Sequence, residues 1–166
     1  NVLVTGGAGY VGTRLVPQLL DAGWNVPVYD AMFFGCELKP QARLKLVEGD
    51  IRDTAKLRDC LWGVDAVIHL ACISNDPSFE LDEGLSKTIN FDCFEPLVAA
   101  AKEQGVRRFI YASSSSVYGV SDAPDVREDH PLLPLTLYNK FKCLCEPVLS
   151  LHPSNDFACV SRRPAS

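Results

Sequence analysis

A chain of 166 residues suits one domain with its own core, and a make-up of 47% hydrophobic and 22% charged residues is that of a globular protein. The net charge of −5, with no basic stripe to neutralise phosphates, argues against a nucleic-acid partner. No apolar run reaches the ~18 residues of a membrane helix, so no membrane partner is expected, and the N-terminus lacks the basic stretch of a signal peptide.

The first strand is NVLVT (1–5), without a starting methionine. Apolar residues at helical spacing predict a helix over 10–22 that Gly23 stops, with Pro17 as a cost inside it. NVPVYD (25–30) and LKLVEGD (44–50) read as the second and third strands, and residues 53–61 as a short helix capped by Asp53. DAVIHLA (65–71) is the fourth strand, a helical zone follows over 81–104, and RRFIYAS (107–113) is the fifth strand. A loop over 119–136, long enough to suggest function or mobility, leads to a helix carrying Tyr138. FACVS (157–161) is the sixth strand, and the chain stops at RRPAS. Both ends lie against strands, so the sequence is expected to be a piece of a longer protein. Short strands, apolar on both faces and joined by helices, predict a parallel sheet covered on both sides.

Seven cysteines are present, with no CxxC pair, and Cys143 and Cys145 are too close for a zinc knuckle. They read as reduced, mostly buried thiols of a cytoplasmic protein with no metal site. His69, His130 and His152 lack partners at metal-ligand spacing and read as structural.

The first strand runs into TGGAGYVG, where Gly6, Gly9 and Gly12 are spaced for a tight turn that opens a helix. Glycines there let the backbone approach a pyrophosphate, and the helix start offers N–H groups and a positive dipole end. Asp30 closes the second strand, where an acid binds the adenosine ribose hydroxyls and repels a 2'-phosphate, which favours NAD over NADP. In EGDIRD (48–53), Asp50 and Ile51 read either as neighbours of the adenine or as a capping aspartate and a core isoleucine. Tyr138 and Lys142 share a helix face four residues apart. Alone, that pair is a common surface feature. After SSSSVYG and a nucleotide turn it reads as a proton-transfer device, with the lysine ammonium favouring the phenolate.

These pieces resemble the extended short-chain dehydrogenase/reductases, above all the NAD-dependent nucleotide-sugar epimerases and dehydratases. TGGAGYVG, Asp30, GDIRD, HLACISNDP (69–77), Asn90, YASSSSVYG (111–119), Tyr138-x-x-x-Lys142 and RRPAS (162–166) occur in that family's order. The resemblance implies an α/β fold with a doubly wound parallel sheet of the Rossmann type. Residues 1–166 would be the N-terminal, NAD-binding portion of such an enzyme, without its C-terminal substrate domain. Tyr138 is the implied catalytic base and Lys142 its partner, with Ser114, or Ser116 as a second candidate, orienting the reacting hydroxyl. NAD is the implied cofactor, held by Gly6, Gly9, Tyr10, Val11, Gly12 and Asp30, with Asp50 and Ile51 near the adenine. Leu70, Ala71 and Cys72, where the chain passes the cofactor, and Asn90, Tyr138 and Lys142 complete the implied contacts.

A nucleotide sugar is the implied substrate. A homodimer through the 81–104 and Tyr138 helices is allowed by FEPLVAAA and KCLCEPVL, whose apolar residues equally suit a core. Phe141 stands where many members carry serine, and Ser115-Ser116 where dehydratases carry an Asp-Glu pair. Without those carboxylates, elimination lacks its acid and base, so epimerase chemistry is preferred. The expected function is thus a NAD-dependent nucleotide-sugar epimerase. The alternatives are a dehydrogenase or reductase of the same superfamily with exchanging cofactor, or a non-catalytic dinucleotide-binding domain. The 166 residues alone are expected to turn over poorly, because remote substrate contacts drive positioning.

Overall fold

The computed structural model describes residues 1–74 and 76–165. Asn75, inside HLACISNDP, and Ser166, the end of RRPAS, lie outside the described residues. The strands are β1 (Val2–Thr5), β2 (Val26–Asp30), β3 (Leu44–Glu48), β4 (Ala66–His69), β5 (Arg108–Ala112) and β6 (Ala158–Arg162). Among the described residues they form one parallel sheet in the order β3-β2-β1-β4-β5-β6. The order reverses direction beside β1, and in such sheets the crevice at the carboxyl ends of the strands is where ligands bind. The apolar run of β1 follows from its place: between β2 and β4, all four of its residues are buried. The two edge strands, β3 and β6, have no fully buried residue.

The helices are α1 (Gly12–Asp21), α2 (Thr54–Leu61), α3 (Asp76–Leu81), α4 (Glu83–Lys87), α5 (Phe94–Glu103) and α6 (Leu137–Ser150). On one face of the sheet, Val16 and Leu20 of α1 pack with Val2, Val4, Val26 and Val28. On the other, Leu57 of α2, Phe94, Leu97 and Val98 of α5, and Cys145 and Leu149 of α6 pack with Leu3, Val67, Phe109 and Tyr111. Cover on the α1 face thins toward β5 and β6, where Ile110 and Val160 are only half-buried. The apolar residues of FEPLVAAA lie mainly in this core, while Leu144 of α6 is 47% exposed.

Pro17 sits inside α1 without ending it, and Gly23 follows the helix with φ +92°. Asp53 caps α2, accepting from Lys56 N at 3.0 Å. The helical zone expected over 81–104 differs from that reading. It is cut at Asp82, whose extended backbone starts a new helix with Oδ1 accepting from Leu85 N at 2.9 Å. It then widens into a π-helical turn over Thr88–Asp92, where Cys93 N donates to Thr88 O. The cause is Asn90, whose side chain is drawn to the backbone of Ile73. All seven cysteines are free, but only Cys93 and Cys145 are fully buried; the other five lie on the partly exposed margins of the core.

Candidate active site

β1 delivers the chain into a turn built on close backbone approach. Gly6 has φ +72°, and a Cβ there would stand 2.5 Å from Ala71 N, so the loop leaving β4 packs directly on the turn. At Gly12 a Cβ would lie 2.2 Å from Gly7 O. Any side chain at either position would push the turn apart. Gly9 N closes the turn on Gly6 O. Val11, just before α1, offers no side-chain cap; Thr13 N donates to Gly9 O at 2.9 Å and Arg14 N to Val11 O at 3.2 Å, so the helix start closes on carbonyls of the turn itself. Tyr10 and Val11 flank that end, largely exposed.

Asp30 reaches over this turn from the end of β2. Its Oδ2 accepts from Ala8 N at 2.9 Å and its Oδ1 from Met32 N at 2.8 Å. Carboxylate oxygens have capacity for further donors, such as ribose hydroxyls. The glycine turn without side chains, the positive dipole end of α1 behind it and this carboxylate together fit a dinucleotide with an unphosphorylated ribose.

The second half of the site lies beside the ends of β4 and β5. Thr136 caps α6 by accepting from Asn139 N, which sets Tyr138 in the first turn. One turn on, Lys142 is 4% exposed. Its Nζ donates to Ala112 O at 2.8 Å, lies 5.0 Å from the Tyr111 ring and 6.0 Å from the Tyr138 ring. Lys140 faces solvent. Ser114 and Ser116 Oγ atoms are 2.7 Å apart, and Ser116 donates to Asn139 Oδ1 at 2.6 Å. The serines that read as alternatives are therefore linked, and Asn139 ties them to the helix of Tyr138. Sequence reasoning missed Asn139; the cap at Thr136, just before the apolar helix start, was the available signal.

The Lys142 ammonium lies 6.0 Å from the Tyr138 ring, while burial pushes the Tyr138 phenol well above its usual value, and the neighbouring Cys72 and Asp76 add to the rise. The ammonium is engaged with the Ala112 carbonyl and the Tyr111 face.

The remaining positions divide. Leu70, Ala71 and Cys72 form the loop against Gly6, with Leu70 N donating to Thr5 O. Ile51 is 7% exposed in the core, and Asp50 accepts three hydrogen bonds from Arg52, while the cap of α2 is Asp53. Asn90 holds Ile73, accepting from its N–H at 2.8 Å and donating to its carbonyl at 2.9 Å, and so shapes the loop beside the site. His69 is buried against Thr5 Oγ1 at 2.7 Å, and burial pushes its pKa down to about 3, with the Lys142 charge assisting. Among the described residues no cluster of three or more His, Cys, Asp or Glu side chains is placed to hold a metal ion.

A parallel sheet in this order, with a glycine turn feeding α1 and an acid on the next strand, defines a dinucleotide-binding domain of the Rossmann type. The chain belongs to the NAD-dependent epimerase/dehydratase family, whose model matches residues 2–165. It is similar to the UDP-glucose 4-epimerase of Lactobacillus helveticus, 31% identical over 157 residues, covering 90% of this chain and 46% of that one. It is also similar to the 3 beta-hydroxysteroid dehydrogenase/Delta 5→4-isomerase of Mycobacterium tuberculosis, 35% identical over 160 residues, covering 88% of this chain and 41% of that one. Among solved structures, the UDP-glucose 4-epimerase of Thermus thermophilus in complex with NAD superimposes with a TM-score of 0.89 at 28% identity, over 98% of this chain and 54% of that one. The chain thus spans about half the length of the curated relatives it matches.

Proposed function

We propose that these residues form the cofactor-binding and catalytic half of a NAD-dependent nucleotide-sugar epimerase of the cytoplasm. The observation that carries the proposal is the side-chain set at the ends of β4 and β5: Tyr138, the buried Lys142 one turn on, and the Ser114–Ser116–Asn139 chain. The names of the epimerase relatives support the sugar-nucleotide class. The half-buried Ile110 and Val160, on the sheet face that α1 does not reach, support further chain packing there. That further chain would hold the nucleotide of the substrate, so residues 1–166 alone bind NAD more readily than they turn over a sugar.

The turn at Gly6–Gly12 and the start of α1 would hold the pyrophosphate of NAD, and Asp30 its adenosine ribose; the bound cofactor would supply reversible hydride transfer with the substrate carbon. Ser114 orients the reacting hydroxyl, with Ser116 and Asn139 fixing the Ser114 Oγ. Tyr138 accepts the hydroxyl proton during oxidation and gives it back on reduction. Its proton is held tightly by burial, so the Lys142 ammonium on the same helix face serves to offset the charge of the phenolate. No carboxylate follows Ser114 in its turn, where Ser115 and Ser116 stand, and this favours epimerisation over loss of water.

One observation favours a second reading. A similar protein is a 3 beta-hydroxysteroid dehydrogenase/Delta 5→4-isomerase, and in a reductase with exchanging cofactor Tyr138 would give its proton to a carbonyl. The test is to denature the purified intact protein, identify any released nucleotide, and assay UDP-glucose conversion to its 4-epimer without added NAD. Retained NAD and conversion support the epimerase. An empty protein that consumes NADH with a ketone substrate supports the reductase. A protein that binds NAD and does neither is a non-catalytic domain.

A further inference from the structure

Asp76 begins α3, close behind the loop that leaves β4. Its Oδ1 is the one buried side-chain nitrogen or oxygen among the described residues that has no hydrogen-bond partner. A carboxylate oxygen shut away from water without a donor is costly, and natural structures rarely leave one so. Nearby, Asn90 satisfies both backbone groups of Ile73, and Asp82 caps the next helix. α3 packs against α6, the helix whose first turn carries Tyr138. The negative charge of Asp76 is also felt by the Tyr138 phenol, after burial and Cys72.

We propose that Asp76 Oδ1 is a substrate-binding acceptor that takes a hydrogen bond from a sugar hydroxyl neighbouring the one handled by Tyr138 and Ser114. The assignment rests on the nucleotide-sugar reading above. A sugar ring carries hydroxyls on adjacent carbons, so holding one at Tyr138 brings another toward a carboxylate on the packed neighbouring helix. A metal ion fits less well, since among the described residues no group of three or more His, Cys, Asp or Glu side chains is placed to hold one. The ribose hydroxyls of the cofactor share the chemistry of the sugar. Asp30 already serves the adenosine ribose in the proposed site, and Asp76 is placed with Tyr138, where the substrate reacts, so the substrate is the source assigned to Asp76.

The test uses Asp76→Asn in the intact protein, with UDP-glucose as the sugar probe and Tyr138→Phe as a parallel control. The expected result is a rise in KM of roughly 10- to 100-fold, the range for losing a charge-assisted hydrogen bond, with NAD affinity unchanged. A second readout is the pH profile. The titratable groups facing Tyr138 are Cys72 from the loop, Asp76 from α3, Tyr111 from β5 and Lys142 on its own helix. Removing the Asp76 charge lowers the Tyr138 pKa, so the rising limb of kcat/KM moves to lower pH whether or not Asp76 touches the sugar; contact with the sugar is read from KM with NAD affinity unchanged. A third readout does not depend on the variant folding. Across monodeoxy analogues of UDP-glucose, one should lose a similar factor on the wild-type protein.

An unchanged KM, or a loss confined to NAD affinity, overturns the assignment while an inactive Tyr138→Phe leaves the epimerase reading standing. No deoxy analogue losing affinity overturns it equally. A Tyr138→Phe variant that still turns over, or a wild-type protein that binds no UDP-glucose, removes the reading on which it rests.

Discussion

Removing one oxygen from Tyr138 separates chemistry from binding. Tyr138→Phe keeps the ring beside Lys142 and Tyr111 but takes away the proton-carrying group. Turnover of UDP-glucose by the intact protein is expected to fall by roughly 10²- to 10⁴-fold, the usual worth of a positioned acid–base group, with NAD affinity retained. Wild-type turnover in that variant would sink the mechanism. Asp30 tests the other half of the site. Both of its oxygens already accept from backbone N–H groups, so Asp30→Asn loses a charge and presents one oxygen position as a donor to an N–H. The Kd for NAD, measured by fluorescence titration, is expected to rise roughly 10- to 100-fold. Discrimination against NADP should shrink, because the repelling carboxylate is gone. Unchanged affinity for both nucleotides would show that Asp30 braces the turn without reading the ribose.

At the scale of elements, the active-site helix is anchored at its far end by an ion pair that no local pattern announces. Glu146 of α6 accepts from Ser113 Oγ at 2.5 Å and from Arg163 at 2.5 to 3.1 Å, with the two charged side chains only 10% and 18% exposed. Arg163 also donates to the Tyr118 hydroxyl and the Glu128 carbonyl, and so joins α6, the end of β6 and the long loop before Tyr138. Breaking such a pair strands a buried charge. Glu146→Ala is expected to lower the unfolding free energy by about 3–5 kcal/mol in urea denaturation. A loss below ~1 kcal/mol would class the pair with ordinary surface bridges. The broken 81–104 zone shows the converse. Its apolar periodicity reads as one helix, yet Asp82 restarts it and Asn90 widens it into a π-helical turn to reach Ile73, 17 residues back in the chain.

For the whole molecule, acid is expected to be destabilising well before the carboxylates of an unfolded chain are neutralised. Burial holds His69 at about 3 against an ordinary 6.5. Between those values the unfolded chain takes up a proton that the folded protein refuses, so stability falls as pH drops from 6.5 toward 3, by up to about 1.4 kcal/mol per pH unit. Glu146 acts with the same sign. Burial pushes its carboxyl up, but hydrogen bonds from Arg163 and Ser113 outweigh it and hold the group below its usual range. The stability it contributes is present above the ordinary glutamate value and is lost as pH falls below it. Urea midpoints measured from pH 7.5 down to 4.5 should decline; a flat series would show that His69 is solvated in the folded state. Among the described residues no helix is long and apolar enough to cross a membrane.

The strands, the glycine turn, the Asp53 cap and the Tyr138–Lys142 spacing were legible in the sequence because each depends on residues close together in the chain. A buried strand must be apolar on both faces, a turn that a Cβ would block must be glycine, and residues four apart must share a helix face. The sequence by itself therefore determined the fold class, the cofactor turn and the identity of the candidate proton-transfer pair. Only the tertiary structure decided which polar groups are buried and with whom. His69 meets Thr5 across the sheet, Ser116 meets Asn139, Glu146 meets Arg163, and Asp76 Oδ1 meets nothing. It also sets the burial that pushes the Tyr138 phenol up, since desolvation sums over every neighbour the fold brings near and has no signature in local spacing.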